Sequence, residues 1–267
     1  MTTDEGPAVL FDRQGRVGIA TLNRPRRLNP VGREIIEGLH EVAAEMDRDP
    51  DLRVLVLTAA GRGFCSGMDM NDMAKSSEDR PRHKLTWPRA HPELYPASLL
   101  RNADFPVIGA INGVAAGAGV SLALASDIRI MSDQARLVPL FVKRGLMPDM
   151  GTSYLLTKMV GAQKALELVL TAAPIGPPQA LELGLVAKVV PHEELMTAAL
   201  ELAERIAAGP PVAMAYAKRA VYRAEIGTLE ADLDWGNLVQ GKLMETEDSK
   251  EGVRAFFEKR EPEFKGR

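Results

Sequence analysis

With one cysteine in 267 residues, Cys65, the chain cannot be stapled by an intrachain disulfide, so a core must hold it together. That cysteine usage fits a reducing compartment, and the length suits one large α/β domain or a domain plus an appendage. Excess charge is also missing: 33 Lys and Arg face 36 Asp and Glu, a formal net charge of -3. Such a balance argues against nucleic acid as a bulk electrostatic partner. The first residues (MTTDEGPAVLFDRQGR) lack a basic stretch followed by an apolar core, so neither a secretory signal nor a transit peptide is expected and the expected location is cytoplasmic. His83 and His91 stand at no metal-like spacing with carboxylates, and no metal site is expected. The nearly uncharged run 106–125 is long enough to cross a bilayer, but Pro106, Asn112 and four glycines interrupt it and Asp104 and Asp127 bound it. A buried strand feeding a buried helix explains that run better than a membrane span. Within it, Gly117-Ala118-Gly119 lacks the third glycine of a dinucleotide loop, since Leu122 stands there.

What is present alternates. Residues 8–11 and 16–22 read as a hairpin around Gln14-Gly15, and Asn29-Pro30 as the start of a helix. In that helix Val31, Ile35, Ile36, Leu39, Val42, Ala43 and Met46 form an apolar stripe at helical spacing. A strand is predicted over 53–58, a polar loop over 75–96, a helix over 97–104, and strands over 107–111, 128–131 and 136–138. Strands alternating with helices imply right-handed crossovers and a mainly parallel sheet. From Gly151 onward the pattern is helical, with a short strand at 186–190 and breaks at Pro174, Pro191 and Gly209-Pro210-Pro211. Residues 211–267 carry more apolar side chains than the remaining strands can cover, so these helices need partners.

Two glycine-bearing turns say most about chemistry: GFCSGMD at 63–69 and NGVAAGAG at 112–119 each follow an apolar strand-like run and open a helix-like stretch. Such a turn presents backbone N–H groups without helical partners at the positive end of a helix dipole. Two of them side by side can hold a carbonyl oxygen as it becomes an enolate.

These turns, together with RVLVLT at 53–58, LNRP at 22–25, GLMPDMG at 145–151, LGLV at 183–186 and EGVRAFFEKR at 251–260, resemble the crotonase, or enoyl-CoA hydratase/isomerase, superfamily. The motifs run in order over nearly the whole chain. The resemblance implies a crotonase-like α/β fold of repeated ββα units with a mainly parallel sheet, plus a C-terminal helical trimerisation region. It divides the chain into a core, 1–205, and a helical region, 206–267, that packs on the core and on neighbouring subunits of a homotrimer or dimer of trimers. It further implies an acyl-CoA thioester as substrate, with no cofactor beyond the coenzyme A that the substrate carries, and neither nucleic acid nor membrane as partner.

The resemblance also assigns residues. The hole donors are the N–H groups of Met68 and Ala118, the second more often a glycine in the family. Arg26, Arg27 and Leu28 match the CoA adenine and phosphate region. Ser66, Asp69, Met70, Gly117 and Phe141 match the substrate pocket, and Phe256 and Lys259 match positions that reach CoA from a neighbouring subunit. Hydratases of the family deprotonate water with two glutamates, whose places fall on Ser121 and Phe141; neither can act as a base. Asp149 stands where some isomerases carry the catalytic acid/base, and the stretch around it looks like the isomerases of phenylacetate-type degradation. The expected reaction is therefore a double-bond shift, 3-enoyl-CoA to 2-enoyl-CoA. The alternatives are a hydratase, an aryl-CoA dehalogenase-like hydrolase and a non-catalytic acyl-CoA binding subunit; against the dehalogenase, Ser98 and Phe141 replace its histidine and tryptophan. Leu146, Met147, Met150 and Phe141 are expected to surround Asp149 with apolar bulk and raise its pKa. Asp149 read by itself is equally an N-cap, Asp69 reads as the cap of a short helix, and Cys65 reads as packing.

Overall fold

A computed structural model describes residues 6–70 and 95–267. The hairpin forms as β1 (Val9–Gln14) and β2 (Val17–Leu22), an antiparallel pair. The helix α1 (Arg33–Arg48) begins later than Asn29-Pro30 suggests: its N-cap is Gly32, and Asn29 adopts a left-handed φ of 53°. Asn29 is a buried staple instead, for a reason given below. The apolar stripe of α1 buries Ile35, Leu39, Val42, Ala43 and Met46.

The middle of the chain repeats one plan. Three strand pairs follow: β3 (Val54–Ala59) with β4 (Gly63–Cys65), β5 (Val107–Ile111) with β6 (Val114–Ala116), and β7 (Ile128–Ser132) with β8 (Arg136–Val138). The first member of each pair enters a six-stranded sheet of order β1-β2-β3-β5-β7-β9, and the second enters a three-stranded sheet of order β4-β6-β8. Here β9 is Lys188–Val190, shorter than the predicted 186–190 strand. Among the described strands every strand–strand pairing but β1 with β2 is parallel, as crossover connections require, and only an isolated bridge from Leu137 of β8 to Ile175 runs antiparallel. Between the pairs lie α2 (Pro96–Asn102) and α3 (Ala118–Ala125).

The large sheet is covered on both faces. In β3, Leu55 and Leu57 join the cluster that holds α1 and α3, while Val54 and Val56 join the cluster of α6 (Leu195–Ala207). This is the period-two alternation of a strand. The apolar spacing of α6 is equally plain, with Leu195, Ala199, Ala203 and Ala207 recurring every four residues. Residue 205, the expected end of the core, therefore lies within a helix that closes the core. Before α6 come α4 (Thr152–Thr171), which is interrupted at Gly161, and the short α5 (Pro177–Glu182). After it come α7 (Pro211–Ala224), α8 (Leu229–Met244) and α9 (Glu247–Glu258).

The C-terminal helices hold to the core through polar anchors. Lys218 of α7, its side chain 6 % exposed, sits 2.9 Å from an Asp127 carboxylate oxygen and donates to the Leu100 and Phe105 carbonyls at 2.8 and 3.0 Å. The Tyr222 hydroxyl bonds the same carboxylate. Buried Arg53, just before β3, donates to the carbonyls of Ala207, Gly209 and Phe264. Among the described residues no helix is long and apolar enough to cross a membrane.

Candidate active site

The two glycine turns meet. Gly67 has φ 105°, and a Cβ built on it would lie 3.0 Å from the Ala116 carbonyl oxygen and 3.7 Å from the Ala118 nitrogen. A Cβ on Gly119 would fall 2.3 Å from the Cys65 carbonyl oxygen, inside its van der Waals surface. The glycines are thus needed first for the close crossing of one turn over the other.

The first turn hangs from the residues before α1. Val31 N–H donates to Gly67 O at 2.7 Å, and Asp69 N–H donates to Val31 O at 2.9 Å. In this parallel bridge the residues flanking Met68 make the bonds, so the Met68 N–H faces away from Val31. The second donor opens a helix. Gly117 caps α3 with φ 53° and no side-chain bond, and Ala118 is its first residue, where an N–H has no helical acceptor. Gly117 N–H itself is used, donating to Val138 O at 3.0 Å. Among the described residues neither the Met68 nor the Ala118 N–H donates to a backbone carbonyl.

Residues 26–28 lie against the first turn. Ser66 N–H donates to Leu28 O at 2.8 Å, its hydroxyl donates to Arg27 O at 3.1 Å, and Arg27 pairs with Asp69 at 2.6 Å. The expected helix cap by Asp69 falls at the edge of the described residues; what is described is this ion pair. Arg26 is exposed on the same short 3-10 turn. Asn29 fixes that turn: its side chain accepts from Arg24 N–H at 2.7 Å and donates to Ala60 O at 3.0 Å and Gly63 O at 2.8 Å. Sequence reading took Asn29 for a helix start and missed this role. The available signal was that Asn tolerates left-handed backbone better than most residues.

Asp149 follows a 3-10 turn, Leu140–Arg144, that buries Phe141. From it Arg144 Nη1 reaches within 3.5 Å of the exposed Met70 Sδ, which brings this turn to the edge of the first glycine turn. The Asp149 carbonyl accepts from Thr152 N–H at 2.9 Å, but the cap of α4 is Gly151, with φ 88° and no side-chain bond. The N-cap reading of Asp149 is therefore overturned, because the left-handed glycine takes the cap position. The expected apolar surround is also corrected in part: Leu146 is 44 % and Met147 71 % exposed, while Phe141 and Met150 do pack inward. Asp149 itself is exposed, yet partial desolvation pushes its carboxyl above the usual carboxylate range, against a smaller opposing pull from its own backbone N–H.

Ser121 links the two halves. Its hydroxyl donates to the Met150 carbonyl, and it lies three residues after Ala118, about 4.5 Å along the helix. The turn carrying Asp149 is thereby tied within one helical turn of the Ala118 N–H.

Other sequence expectations separate from this cluster. Cys65 is fully buried, and burial pushes its thiol up to about 12, so it is packing rather than a nucleophile. Phe256 is 78 % exposed and lines a groove of about 580 Å³ with residues of α7, α8 and α9; none of the residues of the two glycine turns lines it. Lys259 ends α9 in a left-handed conformation. Among the described residues no hydrogen bond, ion pair or ring contact joins Phe256 or Lys259 to the glycine turns. His83, His91 and most of the expected 75–96 loop lie outside the described residues; Pro96 already opens α2.

Paired strands shared between two sheets, with helix α3 starting at the crossing of two glycine turns, define a crotonase-like architecture. The enoyl-CoA hydratase/isomerase family model matches residues 12–267. The chain belongs to that family. It is 39 % identical to the 1,2-epoxyphenylacetyl-CoA isomerase of Escherichia coli, over 92 % of this chain and 94 % of the relative. It is 33 % identical to a short-chain-enoyl-CoA hydratase of Clostridium acetobutylicum, over 97 % and 98 %. A crystal structure of an enoyl-CoA hydratase from Bacillus anthracis superposes with a TM-score of 0.88 at 31 % identity, covering 97 % of this chain and all of that one.

Proposed function

We propose that this acyl-CoA enzyme is a double-bond isomerase that converts a 3-enoyl-CoA into a 2-enoyl-CoA. The Met68 and Ala118 N–H groups receive the thioester oxygen. The Asp149 carboxylate takes a proton from C2, the electron pair moves into the carbonyl, and a dienolate forms with its charge on the oxygen in the hole. The protonated Asp149 then returns the same proton at C4, and the double bond reforms between C2 and C3. One carboxylate suffices, and no water is consumed.

One observation supports this reading over hydration. The tie from Ser121 to the Met150 carbonyl holds the turn that carries Asp149 against helix α3, while both hydratase glutamate places are filled by groups without a base. Ser121 spends its hydroxyl on a backbone carbonyl, and Phe141 is a buried ring. The raised pKa of Asp149 suits a group that must both take and return a proton. The name of the E. coli relative supports isomerisation as well. In this reading Arg26, Arg27 and Leu28 bind CoA, supported by the bonds of Ser66 to the Leu28 and Arg27 carbonyls, and Ser66, Asp69, Met70, Gly117 and Phe141 are assigned to the acyl end. Phe256 and Lys259 would join only from a neighbouring chain, as in a homotrimer or a dimer of trimers.

The test incubates wild type and Asp149→Asn with a 3-enoyl-CoA and a 2-enoyl-CoA, following product and solvent proton exchange. Loss of about 10²- to 10⁴-fold in isomerisation is expected for the variant, the usual worth of a general acid/base. Unchanged isomerisation would remove Asp149 from the mechanism, and water addition by wild type would favour a hydratase.

A further inference from the structure

We propose that Ser121 is a positioning residue for Asp149, acting through the Met150 carbonyl. This rests on the reading of Asp149 as the acid/base. In α3 the other seven residues are Ala, Gly, Val or Leu, and all eight are buried, so the Ser121 side chain, in a residue 1 % exposed, is the only polar side chain of the helix. A buried hydroxyl is costly unless bonded. A serine within a helix usually returns its hydroxyl to the carbonyl four residues back. For Ser121 that carbonyl belongs to Gly117, which already accepts the Val120 N–H at 2.9 Å. The hydroxyl instead leaves its own helix and donates to Met150.

What it holds is a backbone form that a methionine does not favour. Met150 has φ 51° and Gly151 φ 88°, two left-handed residues in succession beside Asp149. A left-handed non-glycine residue and a single buried hydrogen bond are worth similar energies, so the hydroxyl is large enough to decide the form of this turn. On the other side, the Asp149 carbonyl is fixed by the Thr152 N–H. The residue that carries the carboxylate is thus held between the N-terminus of α4 and the middle of α3. Without the Ser121 hydroxyl, Met150 can relax toward right-handed backbone and swing the neighbouring Asp149.

The test compares Ser121→Ala with wild type, each alone and combined with Asp149→Asn, on a 3-enoyl-CoA. Cooperative thermal unfolding is expected to persist in Ser121→Ala, with kcat down about tenfold, KM little changed and the acid limb of the pH profile displaced. Carbon NMR titration of the Asp149 carboxyl should show its midpoint moving between wild type and Ser121→Ala. On the Asp149→Asn background the serine substitution should cost nothing more. Ser121→Cys, nearly equal in size with a weaker donor, should give the same changes at smaller amplitude and covers the case in which the alanine variant folds poorly. An unchanged kcat and midpoint in both variants, or an equal loss on both backgrounds, overturns the proposal. If Asp149→Asn alone retains the wild-type rate, the acid/base reading fails by itself, and the NMR midpoint still decides whether Ser121 positions the carboxyl.

Discussion

Helix α3 buries all eight of its residues, whereas α7 and α8, fourteen and sixteen residues long, bury none. The first lies at the crossing of two glycine turns, where backbone atoms approach so closely that side chains have no room. The others keep Val221, Leu229, Leu233 and Leu238 exposed, and α7 is anchored to the core through Lys218 and Tyr222, the latter stacked under Arg101 of α2. The contrast teaches that the crossing of the glycine turns is packed tight within one chain, whereas α7 and α8 keep apolar side chains at its surface.

Four experiments sharpen or break that contrast. The largest effect is expected at the anchor between the regions. Lys218→Met removes the cation nearest the Asp127 carboxylate, itself 14 % exposed, and removing one member of a buried pair typically costs about 3–5 kcal/mol, here at the lower end. Urea denaturation should show that loss, and a change below about 1 kcal/mol would mean that α7 is held by apolar contact instead.

Next comes one substitution made in both regions. Gly119→Ala drives a methyl to 2.3 Å from the Cys65 carbonyl and should destabilise by about 1–3 kcal/mol or more. Gly241→Ala in α8, with no atom within 4 Å, should stabilise by up to about 1 kcal/mol through helix propensity. If analytical ultracentrifugation shows self-association and Gly241→Ala weakens it, that face of α8 is the covered one.

A smaller and purely kinetic contrast concerns Cys65. With its thiol at about 12, it should resist a thiol reagent at pH 8 until the core unfolds, so labelling reports core opening alone. Labelling at the rate of local fraying in the C-terminal helices would join the two regions into one unit.

The smallest effect is local. Bonds from Arg260 and from the Glu263 N–H hold the Glu251 carboxyl at about 2, against an ordinary 4.5. A depressed carboxyl contributes fully above its unfolded pKa, so the clamp on residues 260–263 should be intact above about pH 4.5 and released as the pH falls toward 2. Amide exchange at Glu263 should rise over that window while the amides of β3 stay protected.

Much of the fold was legible because its signals are local. The alternation in β1 and β2, the stripe of α1, and the strands opening at Val107, Ile128 and Arg136 all appear within a few residues of where the pattern puts them. Misreadings arose where a distant group took a local signal for itself. Asn29 has the chemistry of a helix cap, but Ala60 and Gly63 claim its amide, and α1 starts at Arg33 with Gly32 as its cap. Asp149 also looks like a cap, but a left-handed Gly151 takes that place. Leu146 and Met147 are apolar, yet the short turn that holds them leaves them in solvent.

The sequence by itself determined which backbone groups are available: two strand-to-helix turns with glycines where side chains cannot fit, one carboxylate after Pro148, and no glutamate at 121 or 141. Those are properties of single residues and their immediate neighbours. Only the tertiary structure decided that Gly67 passes beside Ala118, and that Ser121 captures Met150 from a helix twenty-nine positions earlier in the chain. Contacts of that range are set by parallel strands stacking in register across two sheets, a global condition that no short stretch of sequence encodes.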